Sequence, residues 1–168
     1  GSIIMKYYKK DYDIREKSYH NPVTTADKEA DEKIKEILLQ NNSDYGWLSE
    51  ETVDSSERLT KKSVWVVDPL DGTKEFIEGV PNFVVSIALV KNNDPILGVL
   101  YNPVTGEVFS AVKDKGAFLN GEQIFCSKKN DLNQMIILNS RSETNRGLWR
   151  SYSSIFKELK PVGSVAYK

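Results

Sequence analysis

The sequence predicts an α+β fold in which helices pack in layers on a mainly antiparallel sheet. Two segments with apolar residues at helical spacing open the chain, and short apolar runs separated by turn residues follow them. Turn signals recur at short intervals, which favours an antiparallel meander; they are Asn92-Asn93-Asp94, Pro103 to Gly106, Lys115-Gly116 and Asn120-Gly121. A chain of 168 residues suits one domain, and we treat residues 1–168 as that domain.

Two amphipathic helices are predicted before residue 42. The first covers residues 3–10, where Ile3, Ile4, Tyr7 and Tyr8 fall at helical spacing. Residues 11–21 are polar and irregular, and the proline of Asn21-Pro22 marks a boundary. The second helix begins at Thr24 or Thr25 and ends near residues 40–42. Its apolar face consists of Ala26, Ala30, Ile34, Ile37 and Leu38.

Short strands are predicted from residue 45 onward. They cover residues 45–48, 64–67, 83–90, 96–101, 107–112 and 135–138. The run Val64–Val67 is continuously apolar, as expected of a strand buried on both faces. The polar segment 51–62 is predicted to be a mobile loop.

A third long helix is predicted near the end of the sequence. It covers residues 144–159, with its apolar side formed by Leu148, Tyr152, Ile155, Phe156 and Leu159. Residues 161–165 read as a strand or loop, and residues 164–168 resemble the start of another helix.

Charge and composition exclude several classes of protein. The formal net charge of -1 gives no basic field for a nucleic-acid backbone. No apolar run approaches the roughly 20 residues of a membrane span. Cys126 is the one cysteine and His20 the one histidine, so an internal disulfide is excluded and an incidental thiol is favoured over a nucleophile. We expect a cytoplasmic protein and leave peripheral membrane association open.

The chemistry of the chain is concentrated in the segment Asp68-Pro69-Leu70-Asp71-Gly72-Thr73. Asp68 and Asp71 lie three residues apart in one tight turn, and carboxylates this close repel each other unless a cation lies between them. Hard oxygen ligands favour Mg2+ or Mn2+. The Leu70 carbonyl is a further candidate ligand. The alternative is that the segment is only a turn, because Asp, Pro and Gly are common turn residues.

Glu50 is the candidate third carboxylate. It follows the strand-like run 45–48, so the ends of two strands are expected to lie side by side. Two divalent ions about 3.5–4 Å apart can activate a water for in-line attack. The Thr73 hydroxyl can hold that water, and free amides after Gly72 can bind phosphate oxygens. Alternatively, Glu50-Glu51 is a solvated acidic pair at a loop entrance.

Four segments resemble, in order, motifs of the inositol monophosphatase-like superfamily, whose members are metal-dependent, lithium-sensitive phosphatases. The segment 21–27 resembles its PVT.AD motif, 48–51 its SEE motif, 65–73 its W.VDP.DGT motif and 163–166 its GS.A motif. The resemblance spans essentially the whole chain. It implies the N-terminal part of the sugar phosphatase fold of that superfamily.

The resemblance also implies roles for individual residues. The metal ligands would be Glu50, Asp68, the Leu70 carbonyl and Asp71, holding two or more Mg2+ ions, with Mn2+ as a substitute. The residues that position or deprotonate the water would be Asp27 and Thr73, next to Glu50. The substrate would be lined by Glu50, Leu70, Asp71, Gly72, Thr73, Gly163 and Ser164. Alternatively, Asp27 is only an acid in the first turn of a helix, and Ser164 only a helix cap.

Two further segments bear on the substrate. Lys74-Glu75-Phe76 and Ser140-Arg141-Ser142 resemble the 3'(2'),5'-bisphosphate nucleotidase branch, the CysQ-like proteins. That branch implies conversion of adenosine 3',5'-bisphosphate to AMP and phosphate, a step linked to sulfate assimilation. The first alternative is an inositol monophosphatase or a fructose-1,6-bisphosphatase-like sugar phosphatase. The second is a non-catalytic module that binds metal or nucleotide.

One family element has no counterpart in this sequence. The superfamily carries a Trp-Asp pair downstream of its GS.A motif, whereas Trp47, Trp65 and Trp149 are followed here by Leu, Val and Arg. We therefore expect an N-terminal fragment without the C-terminal α/β part, weakly active or inactive on its own. An apolar face left open in this way would favour oligomers, and a homodimer is left open.

Overall fold

A computed structural model of the chain describes residues 1–18, 21–40 and 42–168. His20 and Asn41, which figure in the sequence analysis, lie outside these ranges. The first elements are α1 (Ser2–Tyr7), β1 (Ile14–Ser18), β2 (Asn21–Thr24) and α2 (Thr25–Gln40). Helix α1 packs against α2, and α2 packs on the main sheet. None of the described helices has the length and apolar character needed to cross a bilayer.

The main sheet has seven strands in sequence order, β3 to β9. Only β3 and β4 run parallel, and every later neighbouring pair is antiparallel. The α+β prediction is therefore confirmed. The strands are β3 (Gly46–Ser49), β4 (Ser63–Asp71), β5 (Val84–Lys91), β6 (Asp94–Tyr101), β7 (Val108–Val112), β8 (Gly116–Leu119) and β9 (Glu122–Ile124).

The turns of the meander have the predicted chemistry. Asn92 and Asn93 connect β5 to β6 with φ angles of 52° and 65°. A two-residue hairpin turn with both φ angles positive matches the twist of the flanking strands, and asparagine tolerates this conformation. The local turn residues therefore determine the order of strands in this part of the sheet.

A second, two-stranded sheet lies outside the meander. It pairs β10 (Ile136–Ser140) in parallel with β11 (Glu158–Val162). The predicted helix over residues 144–159 is wrong, because only α4 (Arg141–Asn145) and a 3-10 turn at Arg150–Tyr152 form there. Gly147, at φ 76°, ends the helical stretch. The predicted apolar face is not buried either, since Leu148 is 56% exposed.

Within residues 11–21, predicted to be irregular, the described part includes β1, which pairs antiparallel with β2. The register places Ile14 opposite Thr24 and Arg15 opposite Val23. Strand β1 is polar and its described side chains are exposed, so no alternating pattern marks it in the sequence. The pairing is carried by the backbone, which burial patterns do not reveal. The predicted mobile loop over residues 51–62 contains a 3-10 helix at Ser56–Thr60.

Strand β4 is longer and less buried than predicted. Within Val64–Val67 only Val67 is buried, so the expectation of burial on both faces is wrong. The strand also continues beyond Val67 through the Asp-Pro-Leu-Asp segment and ends at Asp71. The acidic segment is therefore part of the sheet rather than a loop beyond it.

The hydrophobic core lies between helices α1 and α2 and the first strands of the main sheet. Its buried residues are Ile4, Tyr8, Ala26, Ala30, Leu70, Phe76, Phe83 and Val85. Phe76 and Phe83 are fully buried and meet edge to face, with ring centroids 5.3 Å apart. Burial of one such ring is worth about 1.5–3 kcal/mol. Ile37 does not belong to this core, because it is 55% exposed.

The core also holds the acidic segment in place. Leu70 is 1% exposed and Phe76, in helix α3 (Thr73–Ile77), is 0% exposed. These two anchors lie on either side of Asp71, Gly72 and Thr73. The polar groups between them are therefore attached at both ends to well-packed side chains.

Candidate active site

Two parallel strands bring Glu50 next to Asp68. The register of β3 and β4 pairs Ser49 with Val67, and the Glu50 amide donates to the Val67 carbonyl at 3.3 Å. The residues that follow these strands emerge at the same edge of the sheet. The predicted juxtaposition of the two strand ends is therefore confirmed.

A β-bulge sets the direction of Asp71. Asp68 pairs with Ser86 and Asp71 pairs with Val84, so three steps on β4 match two steps on β5. In a regular strand, residues three apart point to opposite faces. The extra residue of a bulge removes this difference. Asp68 and Asp71 therefore face the same side of the sheet.

Burial, together with the neighbouring acidic groups, raises the pKa of Asp68 from its ordinary value of 3.8 to about 8. Burial of the carboxyl is the largest cause, followed by repulsion from Glu50 and then from Asp71. A divalent cation would remove the cost of ionising this group. Donors that are all carboxylate and carbonyl oxygens fit Mg2+ or Mn2+ in their chemistry.

The carboxylates are near one another but are not drawn together around a common point. Among the described residues, no three His, Cys, Asp or Glu side chains converge closely enough to hold a metal. Binding of a cation would require Glu50, Asp68 and Asp71 to close on it from their present positions. The assignment of these residues and the Leu70 carbonyl as ligands stays a prediction.

Asp71 is attached to the GS.A segment, which follows β11. Its carboxylate accepts hydrogen bonds from the Ser164 hydroxyl, from the Ala166 amide at 2.7 Å and from the Val165 amide at 3.3 Å. The Ser164 hydroxyl oxygen also accepts from the Tyr167 amide at 3.0 Å, which is a cap-like contact. Gly163 and Ser164 therefore lie beside the carboxylates, and their predicted contact with substrate stays a prediction.

Asp27 and Thr73 form a buried pair on the other side of the acidic segment. Asp27 is 1% exposed, and its Oδ1 lies 3.1 Å from the Thr73 hydroxyl. The same hydroxyl lies 3.1 Å from the Leu70 carbonyl oxygen. Burial raises the pKa of Asp27, and hydrogen bonds from Thr24 and Thr73 oppose the rise. Asp27, in the first turn of α2, thus contacts the residue that follows Gly72, and its predicted role in positioning a water stays a prediction.

Thr24, one of the two predicted start residues of the second helix, also supports Asp27, a role that the sequence analysis did not assign. Its amide and hydroxyl donate to Asp27 Oδ2 at 2.7 and 2.5 Å, and its hydroxyl oxygen lies 3.4 Å from the Asp27 amide. This is a reciprocal cap at the start of α2. In the sequence, a threonine followed three residues later by an acid is the pattern that indicates such a cap.

A cavity of about 330 Å³ joins these groups. Its lining includes Glu50, Asp68, Asp71, Thr73, Lys74, Glu75, Ser140, Arg141, Gly163 and Ser164. Gly72 marks the turn at its floor, with φ 102°, and a Cβ there would lie 2.8 Å from the Asn82 carbonyl oxygen. A side chain is therefore excluded at Gly72 by both conformation and space.

The Glu75 side chain connects the two sheets across this cavity. Arg141, at the start of α4, contacts Glu75 at 3.1 Å and Glu78 at 2.7 Å. The Glu75 side chain is 13% exposed and crosses directly over Gly163. Lys74-Glu75-Phe76 thus contributes an ion pair and a core ring, and the glycine at position 163 leaves room for the ion pair.

Gly163→Ala is expected to break the contact between Glu75 and Arg141. The new Cβ would lie 2.1 Å from Glu75 Cδ, so the carboxylate must move away. We expect a loss of about 1–3 kcal/mol in the free energy of unfolding, measured by urea denaturation. The double variant Gly163→Ala/Glu75→Ala should lose less than the sum of the single losses. Strictly additive losses would contradict the packing of Glu75 on Gly163.

Comparison with known proteins identifies the family of the chain. A model described as the inositol monophosphatase family matches residues 1–167. An inositol monophosphatase from Mesembryanthemum crystallinum is 32% identical over 170 residues, which cover 100% of this chain and 61% of that protein. A fructose-1,6-bisphosphatase/inositol-1-monophosphatase from Aquifex aeolicus is 34% identical, over 90% of this chain and 57% of that protein.

A solved structure supports the same placement. The IMPase of Thermotoga maritima superposes with a TM-score of 0.89 at 27% identity, covering 98% of this chain and 64% of that chain. The chain thus spans less than two thirds of the length of these three relatives. The expectation that it is an N-terminal fragment stays a prediction. The chain belongs to the inositol monophosphatase family, as its four motifs and its fold together predict.

Proposed function

We propose that this protein is a Mg2+-dependent phosphatase that hydrolyses a phosphomonoester of a small polyol, of the inositol monophosphate type. The observation that carries the proposal is that Glu50, Asp68 and Asp71 line one cavity together with Thr73, whose hydroxyl contacts the buried Asp27. Carboxylates that can bind cations, placed next to a buried acid and a hydroxyl group, suit metal-assisted hydrolysis.

The Thr73 hydroxyl can orient a water molecule because of its own hydrogen bonds. Its single proton can be donated to Asp27 Oδ1, a carboxyl oxygen in a buried position. The lone pairs of the hydroxyl then remain available to accept a proton from a water in the cavity. Asp27, held from the other side by Thr24, keeps that orientation fixed.

Glu50, Asp68, Asp71 and the Leu70 carbonyl would hold the cations. When bound, Mg2+ supplies charge neutralisation for the phosphate and lowers the pKa of a bound water. The residues after Gly72 would bind the phosphate, and Gly163 and Ser164, which line the same cavity, would lie beside the leaving group. Two or more ions, with Mn2+ as a substitute, remain part of the proposal.

The comparisons favour a polyol phosphate over a nucleotide bisphosphate. One relative is named inositol monophosphatase and another fructose-1,6-bisphosphatase/inositol-1-monophosphatase. The bisphosphate nucleotidase interpretation depended on Lys74-Glu75-Phe76. In the structure Glu75 forms an ion pair with Arg141, and Phe76 is buried in the core. Two of these three residues therefore have a structural role.

Adenosine 3',5'-bisphosphate is kept as the second candidate substrate. Lys74 and Arg141 line the same cavity as the carboxylates and could face a second phosphate. This observation favours a substrate with more than one anionic group. A non-catalytic module is the third candidate, and it predicts metal or nucleotide binding without hydrolysis.

A substrate panel tests the proposal. We expect the full-length protein to release phosphate from inositol 1-phosphate in the presence of Mg2+, and this release to stop when EDTA is added; the 168-residue chain alone is expected to show weak release or none. The kcat/KM for inositol 1-phosphate should exceed that for adenosine 3',5'-bisphosphate by about 10-fold or more, a difference of about 1.4 kcal/mol in transition-state binding. A reversed order would select the nucleotidase. Binding of both without phosphate release, even by the full-length protein, would select the non-catalytic module.

A further inference from the structure

Asp31 is a buried carboxylate to which the proposed chemistry gives no role. It lies on α2, is 4% exposed, and no described lysine, arginine or histidine forms an ion pair with it. Its Oδ1 accepts from the Ser49 hydroxyl at 2.5 Å and its Oδ2 from the Thr52 hydroxyl at 2.5 Å. Both partners are distant in sequence and neutral.

Stability alone does not account for an acid at this position. Removing a carboxyl group from water is unfavourable unless hydrogen bonds replace its hydration, and both donors here are neutral hydroxyls. An apolar residue of α2 would pack here at no such cost. The acid therefore fits a role in which the geometry of its two partners matters.

The two partners of Asp31 lie on either side of Glu50-Glu51. The Ser49 hydroxyl donates to Asp31, and its oxygen accepts from the Glu51 amide at 3.2 Å. The Glu50 amide is held separately by the Val67 carbonyl at 3.3 Å. The backbone that carries Glu50 is thus fixed to α2 on one side and to β4 on the other.

One face of α2 therefore contacts both halves of the site. Asp27 and Asp31 are one turn apart, about 6 Å along the helix axis. Asp27 contacts Thr73, next to the Asp-Pro-Leu-Asp segment, and Asp31 contacts the residues around Glu50. Because both acids belong to one helix, this pair fixes the distance between the end of β4 and the residues around Glu50.

We propose that Asp31 is a positioning residue for the divalent-cation site, acting through Ser49 and Thr52 on the place of Glu50. The proposal deepens the proposed function and rests on it for the identity of the cation. Asp31 itself does not touch the cation or the substrate. Loss of its contacts lets the Glu50 backbone move and lowers cation affinity, while the remaining ligands still support turnover when the cation is in excess.

The test compares three variants that alter this contact with one control. Thr52→Val removes one hydroxyl with little change in shape, Asp31→Asn weakens the acceptor, and Asp31→Ala removes it. Glu32→Gln changes the neighbouring, exposed acid of the same helix. Mn2+ affinity is measured by electron paramagnetic resonance of the free ion, without substrate. Amide hydrogen exchange of Glu50 and Glu51, and the Mg2+ concentration for half-maximal activity, are measured in parallel.

We expect Mn2+ affinity to fall about 10-fold in Asp31→Ala and by a smaller factor in Thr52→Val and Asp31→Asn. Exchange at Glu51 should become faster, and the half-maximal Mg2+ concentration should rise by the same factor as the Mn2+ dissociation constant. The kcat at saturating Mg2+ should stay within about 3-fold of the unmodified protein, because the ligands are all present. Glu32→Gln should change none of these values.

The outcomes separate this proposal from the proposed function. Unchanged Mn2+ affinity in Thr52→Val and Asp31→Asn would overturn it, as would a protein that binds no Mn2+ at all. A fall in kcat that excess Mg2+ does not restore would also overturn it, because Asp31 would then act on folding or on the chemistry itself. If Mn2+ affinity falls as expected but no phosphomonoester is hydrolysed, Asp31 keeps its positioning role and the proposed activity fails.

Discussion

Replacing Asp68 with asparagine is expected to stabilise the metal-free protein at pH 8 and to abolish its affinity for divalent cations. The two effects have one cause. The carboxyl is buried next to Glu50 and Asp71, which raises its pKa to about 8. The uncharged amide avoids that repulsion, but it also removes a charged ligand from the predicted cation site.

The pH dependence follows from the same shift. In the unfolded chain Asp68 loses its proton near its ordinary pKa of 3.8, whereas in the folded chain it keeps the proton until about pH 8. Between these values the folded state binds more protons, so the free energy of unfolding decreases as the pH rises. The stability that protonated Asp68 contributes to the folded state is fully present below pH 3.8 and is lost as the pH rises through about 8. Asp68→Asn should flatten this decline.

Urea denaturation in EDTA at several pH values measures the effect. We expect a gain of about 2 kcal/mol for Asp68→Asn at pH 8. Added Mg2+ at 100 times its dissociation constant should stabilise the unmodified protein by about 2.7 kcal/mol and leave the variant unchanged. The exposed control Asp11→Asn should alter neither value. A destabilised Asp68→Asn protein that still binds Mg2+ would contradict the assignment.

The parts of the fold that the sequence predicts are those encoded by local periodicity or by turn chemistry. Ile4 and Tyr8 fall on the helical stripe of α1, and both are buried. Asn92 and Asn93 adopt the positive φ angles that their turn requires. In these places a few neighbouring residues determine the conformation, so a single sequence contains the needed information.

The errors occur where distant contacts decide the structure. Residues 144–159 have helical periodicity, but Gly147 interrupts them and β11 pairs instead with β10, more than ten residues earlier. Tertiary pairing can override a weak helical preference. The antiparallel pair of β1 and β2 shows the converse, since polar residues form strands because of backbone pairing alone.

The candidate site shows the same difference between features set by neighbouring residues and features set by distant contacts. Asp68, Asp71, Gly72 and Thr73 are predictable because they fall within one short segment. The bulge between Asp68 and Asp71 is not, because it is a property of the pairing with β5. The role of Asp31 also escapes the sequence, since its hydroxyl partners lie 18 and 21 residues away.

Asp27→Asn is expected to lower kcat/KM for the phosphomonoester by about 10²–10⁴-fold, the range for loss of a positioned proton acceptor. The amide nitrogen would face the Thr73 hydroxyl and donate to its oxygen. The hydroxyl proton would then turn to the Leu70 carbonyl, which already lies 3.1 Å away. The lone pairs that should receive the water proton would be partly occupied, and the buried acid that could accept it would be gone.

A set of variants separates this chemistry from folding and from cation binding. Thr73→Val should lower kcat/KM to a similar extent, whereas Thr73→Ser, which keeps the hydroxyl, should stay within about 10-fold of the unmodified protein. The double variant Asp27→Asn/Thr73→Val should be hardly worse than either single variant, because the two groups act as one unit. Mn2+ affinity should be nearly unchanged in all of them, since neither residue is a predicted ligand. Additive losses, or a parallel loss of Mn2+ binding, would show that Asp27 acts only through the fold of α2.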